Sequence, residues 1–128
     1  MATLDDVAAL ALALPDVVEG ETPRGRDWSV GGKTFAWERP FSKADLRRFG
    51  DAPVPRAPIL AVRVDDVGEK EVVLAAGHRG FFTIPHFDGY PAVLVELRLA
   101  GKRALREALA DGWASCAPAA LLTEHRRR

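Results

Sequence analysis

Between Phe81 and Pro91 the chain gathers Phe81, Phe82, His86, Phe87, Asp88 and Tyr90 among two prolines and a glycine. A histidine two residues from a carboxylate, beside an aromatic wall, has the composition of an acid/base pair or of part of a metal site. A metal would need a third ligand, and His78 and His125 lie at no helpful spacing. The plainer chemistry is a turn at Asp88-Gly89 with His86 bonded to the loop backbone. A third reading is recognition, because Pro85 and Pro91 stiffen the loop and preorganised aromatics bind with little entropy loss. Phe82, Pro85, His86, Phe87, Asp88 and Tyr90 are therefore the candidate ligand- or partner-binding residues. No residue is assigned a catalytic or metal-ligating role, and no cofactor is expected.

Basic residues form a second candidate set. Formal net charge is zero, which argues against a generic polyanion binder. From Arg98 onward, however, seven basic residues face three acids, leaving +4 there and −4 in residues 1–97. Lys102, Arg103, Arg106, Arg126, Arg127 and Arg128 are the candidate nucleic-acid contacts, of weak and salt-dependent affinity. Lys102, Arg103 and Arg106 open a helix, where positive charge opposes the helix dipole and so suggests service to a partner. The terminal run is equally a solvated tail, starting at about residue 124. Trp28 and Trp37, beside Arg24, Arg26, Lys33 and Arg39, resemble a stacking platform for single strands. They also suit the inward face of a hairpin. Phosphate-binding glycine loops, zinc-protease helices and Gly-x-Ser-x-Gly elbows do not occur, so the pattern favours binding over catalysis.

The elements that hold these residues follow from periodicity and punctuation. With 128 residues, 48% of them hydrophobic, one core and one domain over 1–128 are expected. No apolar run approaches the roughly 20 residues that span a bilayer, and the expected location is cytoplasmic, with no membrane partner. Cys116, the single cysteine, excludes an internal disulfide. Thr3 and Asp6 form a capping box before an amphipathic helix that Pro15 ends. Residues 16–27 read as a polar connection. Gly31-Gly32 closes a hairpin with Val30 opposite Lys33 and Trp28 opposite Phe35, which puts Trp28, Val30, Phe35 and Trp37 on one face. A short helix over 42–49, a proline connector over 51–58 and a strand over 59–64 follow. Asp65 or Asp66 then starts a helix that ends at Gly77. Strands over 80–84 and 92–99 flank the aromatic loop. The last long helix spans about Lys102 to Cys116 with Leu105, Ala108, Leu109, Gly112 and Trp113 as its stripe, and one more helical turn lies over 119–124. Hairpin-linked strands with helices that do not alternate indicate α+β: an antiparallel sheet with helices mainly on one face.

The string Phe82-Thr83-Ile84-Pro85-His86-Phe87-Asp88-Gly89-Tyr90-Pro91, running into Ala92-Val93-Leu94-Val95, resembles the signature of the MmcQ/YjbR-like family of small bacterial proteins. Supporting marks are Val30-Gly31-Gly32-Lys33 with Phe35, the strand Val62-Arg63-Val64, and Trp113 with Ala117-Pro118. The resemblance runs from Leu14-Pro15 to Pro118, and the inserted segment Phe41 to Pro58 is similar to a branch found in GC-rich genomes. It implies a two-layer sandwich of the secretion-chaperone-like type. It also implies a DNA-associated or regulatory binding protein, without agreed catalytic residues to transfer. The alternatives are a protein-interaction module, such as a homodimer, or a small-molecule binder using the Pro85-Pro91 loop.

Overall fold

The computed structural model describes residues 1–127. It is an α+β fold built on an antiparallel six-stranded sheet in the order β1-β2-β3-β4-β6-β5. The strands are β1 (Val18–Thr22), β2 (Gly25–Val30), β3 (Lys33–Glu38), β4 (Ile59–Arg63), β5 (Phe81–Phe82) and β6 (Ala92–Glu96). The helices are α1 (Leu4–Leu12), α2 (Lys43–Phe49), α3 (Val67–Ala75), α4 (Lys102–Cys116) and α5 (Ala119–Arg126).

Helix starts are set by side chains that satisfy the free amides of the first turn. Thr3 and Asp6 bond reciprocally at α1, and Ser42 and Asp45 do the same at α2. Asp66 accepts from the Glu69 amide at α3. α4 occupies the expected residues, with Leu105, Leu109, Gly112, Trp113 and Cys116 buried.

The first core lies on one sheet face, under α1 and α4. Trp28, Phe35 and Leu105 are fully buried there, and Leu121 and Leu122 of α5 pack against it. Burying each such large side chain contributes about 2 kcal/mol. Gly112 lets α4 lie close: a Cβ there would sit 3.0 Å from the Arg63 carbonyl oxygen. Both indoles in this core find acceptors, Trp113 on the Pro15 carbonyl at 2.9 Å and Trp28 on Glu19 at 2.8 Å. The second core, on the other face, joins Ile59, Ala61, Ile84, Phe87, Ala92 and Leu94 to Phe41, Phe49 and Phe82. α2 and a 3-10 turn (Pro85–Phe87) cover it. The long helices thus share one face, while the other is only partly clothed.

Four expectations need correction. Residues 16–27 are not a connection: they hold β1, a turn and the start of β2. β1 is an edge strand that buries nothing fully, so it carries no apolar alternation to read. Trp28 pairs with Ala36, not Phe35, because a bulge leaves Phe35 as the extra residue on β3. That insertion changes the parity beyond it, so Trp37 joins the second core instead of sharing a face with Trp28. β5 and β6 are also shorter than 80–84 and 92–99: Ile84-Pro85 enters the 3-10 turn, and the Leu99 amide turns back to Glu96. At the other end of the chain, α5 continues through Arg126, past the expected start of the tail.

Candidate functional site

The aromatic loop is built into the second core. Ile84 and Phe87 are buried, and Phe82 pairs with Leu94 while its ring meets Phe41 at 6.2 Å. Phe81 faces the first core, so covering both sheet faces resolves the apparent conflict between adjacent phenylalanines. Lys70 of α3, only 5% exposed, secures the loop. Its ammonium donates to the Phe87 carbonyl at 2.5 Å and to the Tyr90 carbonyl at 3.0 Å. Burial pushes the Lys70 pKa down, and the nearby Asp88 carboxylate partly opposes that. No sequence pattern singled out this lysine. It lies between Glu69 and Glu71, a setting that reads as a solvated helix face and hides its burial.

What the loop presents outward is Pro85, His86, Asp88 and Tyr90. No hydrogen bond or ion pair joins His86 to Asp88, and no cluster of metal-ligating side chains occurs, among the described residues. His86 instead borders an open groove of about 800 Å³ over the exposed half of the second sheet face, whereas Asp88 does not line it. Gly25, Asp27 and Thr34 contribute to its floor, with Trp37, Tyr90 and Phe87 along one side. Trp37 and Tyr90 meet edge to face at 6.5 Å and 76°. No ring can slide between them, so a planar ligand must lie on an aromatic face.

Cations also line the groove: Arg24, Arg26, Lys33, Arg39 and Arg63, against the acids Asp27 and Glu38. Two of these arginines are engaged. Arg26 reaches Asp5 at 3.0 Å and Glu19 at 3.2 Å, while Arg39 binds Asp45 at 3.0 Å and the Pro40 carbonyl. Arg24, Lys33 and Arg63 have no carboxylate partner among the described residues. Arg63 lies 5.6 Å from the Tyr90 ring centre and donates to the Tyr90 hydroxyl at 3.2 Å. It is held in place with its charge unneutralised. The sequence reading missed Arg63, although alternation along Ile59, Ala61 and Arg63 places it on this face.

Arg39 owes its position to Asp45, whose side chain is 1% exposed. Burial raises the Asp45 pKa, but the Ser42 amide and hydroxyl, with Arg39, leave it below the ordinary carboxylate value. A carboxyl depressed by folding contributes stability above its unfolded pKa and loses it as pH falls through the folded value. Asp45→Asn is expected to cost about 2 kcal/mol at neutral pH, from the weakened cap and the unpaired arginine. In denaturant titrations the gap to the wild type should then narrow as the pH falls below the ordinary carboxylate range.

The basic set at the C-terminal end is dispersed. Lys102 pairs with Asp6 at 3.7 Å, Arg103 with Glu107 at 3.5 Å, and Arg106 is exposed. Arg126 lines a separate cleft with Asp65, Glu69 and Asp111, and Asp111 stands about 14 Å of helix rise along α4 from Lys102. Burial, then Glu107 and Asp65, raise the Asp111 pKa. Arg127 is exposed at the end of α5, and Arg128 lies outside the described residues. Of the platform residues, Trp28 is core, while Trp37 stands with Arg24, Arg26, Lys33 and Arg39 at the groove.

The class these features define is an α+β protein with one half-open, aromatic and basic sheet face. Proteins from Mycobacterium bovis and Mycobacterium tuberculosis, both named as uncharacterized, are each 46% identical to it over 125 residues, covering 95% of this chain and 94% of each relative. The chain belongs to the family of these mycobacterial proteins. No family model matches it, and no solved structure does. No helix among the described residues is long and apolar enough to cross a membrane.

Proposed function

We propose that this chain is a DNA-associated binding protein of the MmcQ/YjbR-like kind that takes single-stranded nucleic acid along the open half of its sheet. The observation that carries this reading is Arg63, stacked on Tyr90 beside Trp37 and unpaired with any carboxylate among the described residues. Aromatic faces accept bases whatever their identity, and cations beside them follow the backbone. Arg24 and Lys33 extend the positive edge of the same groove.

Fluorescence anisotropy with a short labelled oligothymidylate tests it. Three phosphate contacts give a log-log salt slope of about −2. Trp37→Ala should weaken binding by roughly tenfold or more, the usual worth of a stacked base. Arg63→Gln should weaken it and flatten the slope by about 0.7. Gln at Arg103 and Arg106 should leave both quantities unchanged. Absent binding at low salt, or binding that ignores Trp37 and Arg63, would overturn the proposal.

One observation favours a second reading, a small-molecule binder. The groove volume of about 800 Å³ suits a compact ligand, and His86, Phe87 and Tyr90 line it. Salt-insensitive binding of an uncharged aromatic compound, in preference to oligonucleotides, would select this alternative.

A further inference from the structure

The groove floor carries a carboxylate that neither packing nor ion pairing explains. Asp27 is half-buried on β2, and among the described residues no hydrogen bond or ion pair engages its side chain. It stands directly opposite Trp37 across the β2–β3 ladder, and directly opposed residues share a face with Cβ atoms about 5 Å apart. On its other side it faces Gly20 of β1, where an added Cβ would lie 2.7 Å from Asp27 Oδ1. The absent side chain makes room on the floor for this carboxylate. The other acid of the groove, Glu38, is occupied, since its Oε1 accepts from the Arg26 amide at 3.2 Å.

A base stacked on Trp37 therefore meets an acceptor-only group at its edge. Guanine alone among the DNA bases offers two adjacent donors, N1–H and the N2 amino group, which a carboxylate accepts in parallel. Adenine and cytosine each pair one amino donor with an acceptor nitrogen, and thymine flanks its single donor with two carbonyls. Those acceptors face the carboxylate unfavourably.

We infer that Asp27 makes the groove selective for guanine, reading its Watson–Crick edge while the ring stacks on Trp37. This rests on the single-strand reading above and adds a base preference to it. The test is competition by unlabelled octathymidylate against versions with one central guanine, inosine, adenine or cytosine. The guanine oligonucleotide should bind roughly tenfold tighter than the parent, the worth of one good bidentate contact. Inosine, which lacks the N2 amino group, should lose most of that gain. Asp27→Asn should abolish the preference, with an unchanged melting temperature as the check on folding. Equal affinity for every version, with the salt slope intact, would sink base selection and leave the binding reading standing. No binding by the parent would remove both. Should the variant fail to fold, the guanine-to-inosine ratio of the wild type still decides the matter.

Discussion

Gly80→Val is expected to be among the most damaging single substitutions in the chain, costing about 4 kcal/mol. Gly80 sits at φ +86°, where a β-branched residue is strained. A Cβ there would also lie 2.7 Å from the Glu96 carbonyl oxygen and 3.2 Å from the Ala100 amide nitrogen. Neither neighbour can yield cheaply. The Glu96 amide bonds the Gly80 carbonyl at 2.7 Å, and Ala100 is fully buried in the first core. Thermal denaturation should show a fall of roughly 15 °C for a domain of this size. Gly89 supplies the comparison, with φ +73° but nothing within 4 Å of an added Cβ. Gly89→Asn should therefore lose less than about 1 kcal/mol, because asparagine tolerates this region. Equal melting temperatures for the two variants would contradict the steric argument.

Lys70→Ala is expected to cost about 3 kcal/mol and, unlike Gly80→Val, to weaken ligand binding beyond its effect on folding. The ammonium bridges the carbonyls of Phe87 and Tyr90, so it pins both ends of the turn that carries Tyr90. Those carbonyls keep other donors, the Tyr90 amide at 3.0 Å and the Ala92 amide at 2.8 Å, which limits the loss. Tyr90 in turn orients Arg63, so a loosened loop blurs the wall of the groove. Lys70→Met keeps the stem against Phe87 and should recover about 1 kcal/mol of stability without restoring affinity. Affinity unchanged in both variants would mean that the loop needs no clamp.

Much of this architecture was legible from local chemistry. Thr3 with Asp6 and Ser42 with Asp45 announced two helices, Asp66 a third, and Gly31-Gly32 the central hairpin. Those signals act within a few residues, so one chain suffices to read them. β1 was illegible because an exposed edge strand needs no apolar face. The bulge at Phe35 was illegible too, and it moved Trp37 from the first-core face to the second, where it borders the groove. A single extra residue reverses every later side chain, so the site's central aromatic was assigned to the wrong face. The aromatic loop was found, but its role divides: Phe82 and Phe87 pack, while His86 and Tyr90 border the groove. Arg63 and Lys70 lie 27 and 20 residues from Tyr90 in sequence, and only the fold brings them to it.

The most direct test of the open sheet face is a nitrogen–proton NMR titration of the full chain with unlabelled octathymidylate. The three tryptophan indole signals serve as internal reporters. Trp28 and Trp113 are buried and bonded to Glu19 and Pro15, whereas Trp37 borders the groove. The account predicts that the Trp37 indole and the Arg63 and Tyr90 amides shift on titration while the other two indoles stay fixed. Shifts confined to Lys102, Arg103, Arg106 and the terminal arginines, or no shifts at low salt, would contradict it.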